Sequence, residues 1–162
     1  MSNQKKDLRL FMRESAKIEE IVTAPGPDTI IDPNTGKPVV LEIKVLHNDT
    51  IQEINEAYKK RGMATDKKGN PYIADGMVAF REERDRVKAS QHIIAAALVH
   101  PDLKDPELMD YFGCNDIADM PTKVFPRADE YAHVSRAVML ALGIASEPDQ
   151  DEKEKALDEA KN

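Results

Sequence analysis

The stretch IIDPNTGKPVVLEIKVL, residues 30–46, decides how the chain begins to fold. It sets six turn-forming residues, Asp32-Pro33-Asn34-Thr35-Gly36-Lys37, between β-rich runs at 29–31 and 38–46. Asp and Asn bond to their own backbone two residues on, Pro presets φ and Gly tolerates positive φ, so this composition predicts a tight reversal and a hairpin. Two chemical readings compete with a plain turn, and spacing removes both. A calcium loop of the EF-hand type needs oxygen ligands at positions 1, 3 and 5, Gly at 6 and a bidentate Glu at 12. Counting from Asp32, those last three places hold Gly36, Lys37 and Ile43. A phosphate-binding loop needs Gly five residues before its Gly-Lys pair and a hydroxyl after it. Ile31 and Pro38 stand there instead.

Upstream, Leu8, Phe11, Met12 and Ser15 share a helical face, which predicts a short amphipathic helix over 5–16. Residues 18–22 read as extended before Pro25-Gly26-Pro27 breaks the chain. Downstream, Asn48, Asp49 and Thr50 offer N-caps to a helix carrying Ile51, Ile54 and Tyr58 on one side, with Thr50 and Glu53 as a capping box and Gly62 as its stop. A second reversal, 66–71, marks a small hairpin or structured loop. Met77, Phe80, Val87, Ile94 and Leu98 then recur at spacings of three, four and seven, which predicts one long central helix stopped by Pro101. Asp105-Pro106-Glu107 begins another helix that Gly113 closes; a brief one follows over 116–124. Tyr131, Val134, Val138, Ala141 and Leu142 mark the last helix, ending at Gly143.

The fold expected from these elements is α+β and mostly helical, a small N-terminal β-hairpin packed against a helical bundle with one long central helix. With 162 residues the chain suits a single domain, here residues 1–145. Residues 146–162 are acidic and poor in apolar side chains, which predicts a disordered or marginally helical tail.

The net charge of −7 opposes binding to a phosphate backbone, so no nucleic-acid partner is expected. No apolar run approaches the roughly 20 residues that span a bilayer, so no membrane is expected either. The lone Cys114 forms no intrachain disulfide, and the polar N-terminus is unlike a signal peptide, which points to a cytoplasmic protein. His47, His92, His100 and His133 show no short metal-ligand spacing, and acid pairs such as Glu82-Glu83 lie in solvated charge runs. No catalytic residue, cofactor or metal is expected. A small metal enzyme would need His92, His100, His133 and Cys114 to cluster. The seven Met residues are read mainly as core filler.

Phe11-Met12, then 36–46 (GKPVVLEIKVL), then 95–103 (AAALVHPDL) with Leu108, Tyr111 and Gly113, together resemble the XkdN-like tail assembly chaperones of tailed phages and prophages. The resemblance covers most of the chain. It departs at Leu41, where the family often has an aromatic, and around Gly69, where the reversal looks like an insertion.

The resemblance implies a non-enzymatic chaperone in the bacterial host cytoplasm, absent from the mature virion. It would bind the tape measure protein, keep it soluble and help recruit tail tube subunits. Phe11, Met12, Leu41, Ile43, Leu103, Leu108 and Tyr111 are the expected partner-binding residues. Association with copies of itself is a further expectation, as is a longer frameshifted form, since Ala160-Lys161-Asn162 can be encoded with a slippery heptamer. The alternative is a structural head-tail connector or tail completion protein.

Overall fold

Leu41 and Ile43 point inward and Val40 and Glu42 outward, the period-two signature of a strand with one covered face. In the computed structural model, which describes residues 7–14 and 20–145, this segment is the middle strand of the main sheet. In chain order the first half contains β1 (Ile21–Pro25), β2 (Val40–Lys44), α1 (Asn48–Ala57), β3 (Lys59–Met63), β4 (Ile73–Ala74), β5 (Met77–Val78) and β6 (Phe80–Arg84). The second half contains α2 (Arg86–Ala97), β7 (Leu98–His100), α3 (Pro106–Phe112), α4 (Met120–Val124) and α5 (Ala128–Ala141).

The main sheet runs β1-β2-β7, antiparallel throughout, with Val22 opposite Ile43, Ala24 opposite Leu41, and Leu98 opposite Ile43 on the other edge. The reversal at 32–37 is present, but only one bridge, Ile31 to Pro38, joins its two arms. The ladder partner of β2 is β1, which lies before the turn, rather than the residues that enter it. Gly26 makes this corner: its amide donates to the Val39 carbonyl at 2.6 Å, and a Cβ there would meet that oxygen at 2.5 Å. Only glycine lets the two backbones come so close.

The expectation of a mostly helical fold with one long central helix is corrected. The described residues form five α-helices and three antiparallel sheets, and the longest helix, α5, has 14 residues. The segment read as the first half of a long helix is β5 and β6, and α2 begins only at Arg86, where Asp85 accepts from the Lys88 amide at 3.0 Å. Asp75 (φ 54°) and Gly76 (φ 75°) form the reversal between β4 and β5; this Asp-Gly pair is a hairpin signal that outweighs the three-four-seven spacing. Met77, Phe80 and Val87, which carried that spacing, are all exposed.

Other boundaries shift for local reasons. His47, not a residue of 48–50, caps α1, its Nδ1 accepting from the Asp49 amide at 3.2 Å. That helix ends at Ala57, and Gly62 lies inside β3. The helix over 5–16 is, in its described part, a four-residue 3-10 turn, Leu8–Phe11. The second reversal forms as a Thr65 to Pro71 bridge around 66–70. As expected, α3 starts with Asp105 as cap and Pro106 in its first turn, and stops at a left-handed Gly113. Residues 146–162 lie outside the described residues.

The core sits between the inner face of the sheet and α2, α4 and α5. It contains Leu41, Ile43, Ile94, Leu98, Leu103, Met120, Phe125, Val134 and Val138. Ala95 and Ala97 let α2 approach closely.

Candidate protein-binding surface

The residues expected to meet a partner divide by burial. Leu41, Ile43 and Leu103 are fully buried in the core and leave no surface for a partner in this fold. Leu108 is half-buried against that core. Phe11, Met12 and Tyr111 are exposed. The seven therefore form no single patch, and the surface left for partners is best described in three parts.

One part is the N-terminal turn. Asp7 caps it by accepting from the Arg9 amide at 3.0 Å, and Leu8, Leu10, Phe11 and Met12 are between 66 and 79% exposed. Four large apolar side chains within five residues, none covered by the other described residues, make a hydrophobic surface.

Another is a groove of about 620 Å³ where β7 meets α3, lined by His100, Pro101, Asp102, Asp105, Leu108 and Tyr111 among others. Tyr111 packs edge-on against Phe112, with ring centroids 4.9 Å apart, yet is itself 81% exposed. Asp102 and Asp105 stand on the rim, where they accept local amides, Lys104 at 3.1 Å and Glu107 at 2.9 Å.

The last part was not legible as a surface from the sequence. Residues 59–84 form a β-arm made of the β3–β6 ribbon and the β4–β5 hairpin. No residue of the arm is buried. Met63, Tyr72, Ile73, Met77, Val78 and Phe80 are 40–73% exposed, and the Arg61 guanidinium lies 4.7 Å over the Phe80 ring. The Asp75-Gly76 turn was the signal that could have revealed it.

The arm's foot is tied to the body. The Asp85 amide donates to the Tyr58 carbonyl at 3.1 Å, and Lys59 and Arg84 both reach Glu56, at 2.6 and 3.9 Å. Lys59 is chiefly responsible for holding the Glu56 carboxyl below its usual range. Beneath the foot, the Tyr58 hydroxyl and His92 Nδ1 lie 2.7 Å apart, and Lys88 pairs with Asp116 at 3.2 Å. Burial raises the Tyr58 hydroxyl and lowers the His92 imidazole. The Ala118 amide, followed by Lys88, holds Asp116 low.

The histidines stand apart. His47 caps a helix, His92 meets Tyr58, His100 lines the groove, and His133 Nε2 lies 2.8 Å from the Pro25 carbonyl of the β1 edge. Among the described residues no three His, Cys, Asp or Glu side chains come together as a metal site. Nor, among them, is any helix long and apolar enough to cross a membrane. Asp32 Oδ1 accepts from the Asn34 amide at 2.8 Å, the work of a turn.

A family model described as phage XkdN-like tail assembly chaperone protein matches residues 8–161. The fold is similar to the crystal structure of the protein YqbN, with a TM-score of 0.62 and 20% identity, over 86% of this chain and 98% of that one. At that identity the likeness speaks for the fold alone. No curated protein matches the chain.

Proposed function

The chain belongs to the phage XkdN-like tail assembly chaperone family, and from that premise we propose that it binds the tape measure protein during tail assembly. It keeps the client's amphipathic helices soluble, helps recruit tail tube subunits in the host cytoplasm, and does not remain in the finished particle. The role is non-catalytic. The observation that carries the reading is the uncovered turn of Leu8, Leu10, Phe11 and Met12, which offers an apolar helix a complementary apolar surface. Phe11 and Met12 are the client contacts; Leu108 and Tyr111 belong to the separate groove. Residues 1–145 act as one domain, and the acidic 146–162 links to a longer frameshifted form. Gene sequence lacking a slippery heptamer over Ala160-Lys161-Asn162 would remove that last element alone.

Co-expression tests the main reading. The soluble fraction of the tape measure protein should rise with the wild-type chain and fall back with Phe11→Ser/Met12→Ser, whose melting midpoint should be unchanged. A client equally insoluble with and without the chain would overturn it. Recovery of the chain from purified particles would favour a head-tail connector or tail completion role instead.

A further inference from the structure

We infer that the β-arm of one copy docks into the β7–α3 groove of a second copy. The first ground is charge. Residues 59–84 carry seven Lys and Arg against four Asp and Glu, a net +3 in a chain of net −7, which leaves −10 for everything else. The residues that line the groove carry three carboxylates, Asp102, Asp105 and Glu107, and no Lys or Arg, a net −3. Opposite fields on the two surfaces steer them together and fix their register.

The second ground is apolar character. The arm is a two-stranded ribbon with no buried residue, a structure that is marginal in water by itself. Its apolar side chains have no cover among the described residues, and the groove offers Leu108 and the exposed Tyr111 ring between acidic rims. Lys60, Lys67 and Lys68 make no ion pair among the described residues and are available for those rims.

The third ground is placement. The arm joins α2 at its N-terminal end and the groove follows its C-terminal end, with 12 residues of helix between them, about 18 Å at 1.5 Å per residue. That separation favours a contact between copies over one within a chain. The contact closes either as a two-fold pair, in which each arm enters the other copy's groove, or head-to-tail as a ring.

The test is sedimentation of the full chain with paired charge reversals. The wild type should associate with increasing concentration and dissociate with added salt. Lys60→Glu/Lys67→Glu/Lys68→Glu and, separately, Asp102→Lys/Glu107→Lys should each lower the association constant roughly tenfold or more. Each should keep the wild-type circular dichroism, since all five side chains are exposed. Mixing the two variants should restore association, because each then offers the other a complementary surface. A wild type that stays monomeric, variants that associate as the wild type does, or a mixture that stays monomeric would overturn the inference. So would an arm variant that loses tape measure capture while the wild type is monomeric, which would give the arm to the client.

Discussion

Tyr58 and His92, 34 residues apart, are joined by a 2.7 Å hydrogen bond between the hydroxyl and Nδ1, and it pins the foot of the β-arm to the middle of α2. The rings also meet edge to face, with centroids 5.6 Å apart. Tyr58→Phe keeps the ring contact and removes the bond. It should cost about 0.5–1.5 kcal/mol of stability, read as a shift in denaturant midpoint. Hydrogen exchange should quicken in β3 and β6 before it does in α5. Unchanged exchange in the arm would show that the bond does not hold it.

Acid should weaken the fold in two windows. Burial lowers His92 from its ordinary 6.5, and the Ala118 amide with Lys88 lowers Asp116 from 3.8. Each folded pKa lies below the unfolded one, so the unfolded chain takes up protons first as pH falls, and stability is lost on acidification. The His92 contribution is complete above 6.5 and declines as pH falls through its lowered folded value; that of Asp116 follows below 3.8. Urea midpoints measured downward from about pH 7.5 should therefore fall first in the His92 window. His92→Gln should flatten that upper part and leave the lower one. A midpoint that rises on acidification from neutrality would contradict the sign.

The reversal at 32–37 is a turn without a ligand. Asp32→Ala removes one local bond to Asn34 and should cost no more than about 0.5–1.5 kcal/mol, with the same loss in calcium or in chelator. Gly36 has φ 69°, so Gly36→Val should cost more than Asp32→Ala although nothing lies within 4 Å of the added Cβ. Metal-dependent melting that vanishes in Asp32→Ala would overturn this.

Burial separates the residues that resembled a binding set. Leu103→Ala opens a hole in the core and should cost about 2–5 kcal/mol. Tyr111→Ala, on the surface, should stay within about 0.5 kcal/mol and act on association instead. Thermal melts of the two proteins decide it, and equal losses would place Tyr111 in a packed environment after all.

The helix cap at Asp105 and the turn at 32–37 were legible in the sequence because their chemistry is local. Asp105-Pro106 opens α3, left-handed Gly113 closes it, and Asp32 to Gly36 reverses the chain, all through contacts within a few residues. Strand partners and burial were not, because they depend on residues far apart. Ile43 is core because Val22 and Leu98 flank it in the sheet, and Tyr111 is exposed because none of the other described residues covers α3 there. Met77, Phe80 and Val87 fit a helical face as spacing, yet a helical face is useful only if something packs on it. Here none does: the Asp75-Gly76 turn folds 77–84 back along β3 and β4, and α2 is left to start at Arg86, after its cap Asp85. The sequence alone determined the reversal at 32–37 and the start and stop of α3. Only the tertiary structure decided which apolar residues form the core and which remain for partners, since burial is a property of the neighbours a residue acquires rather than of the residue itself.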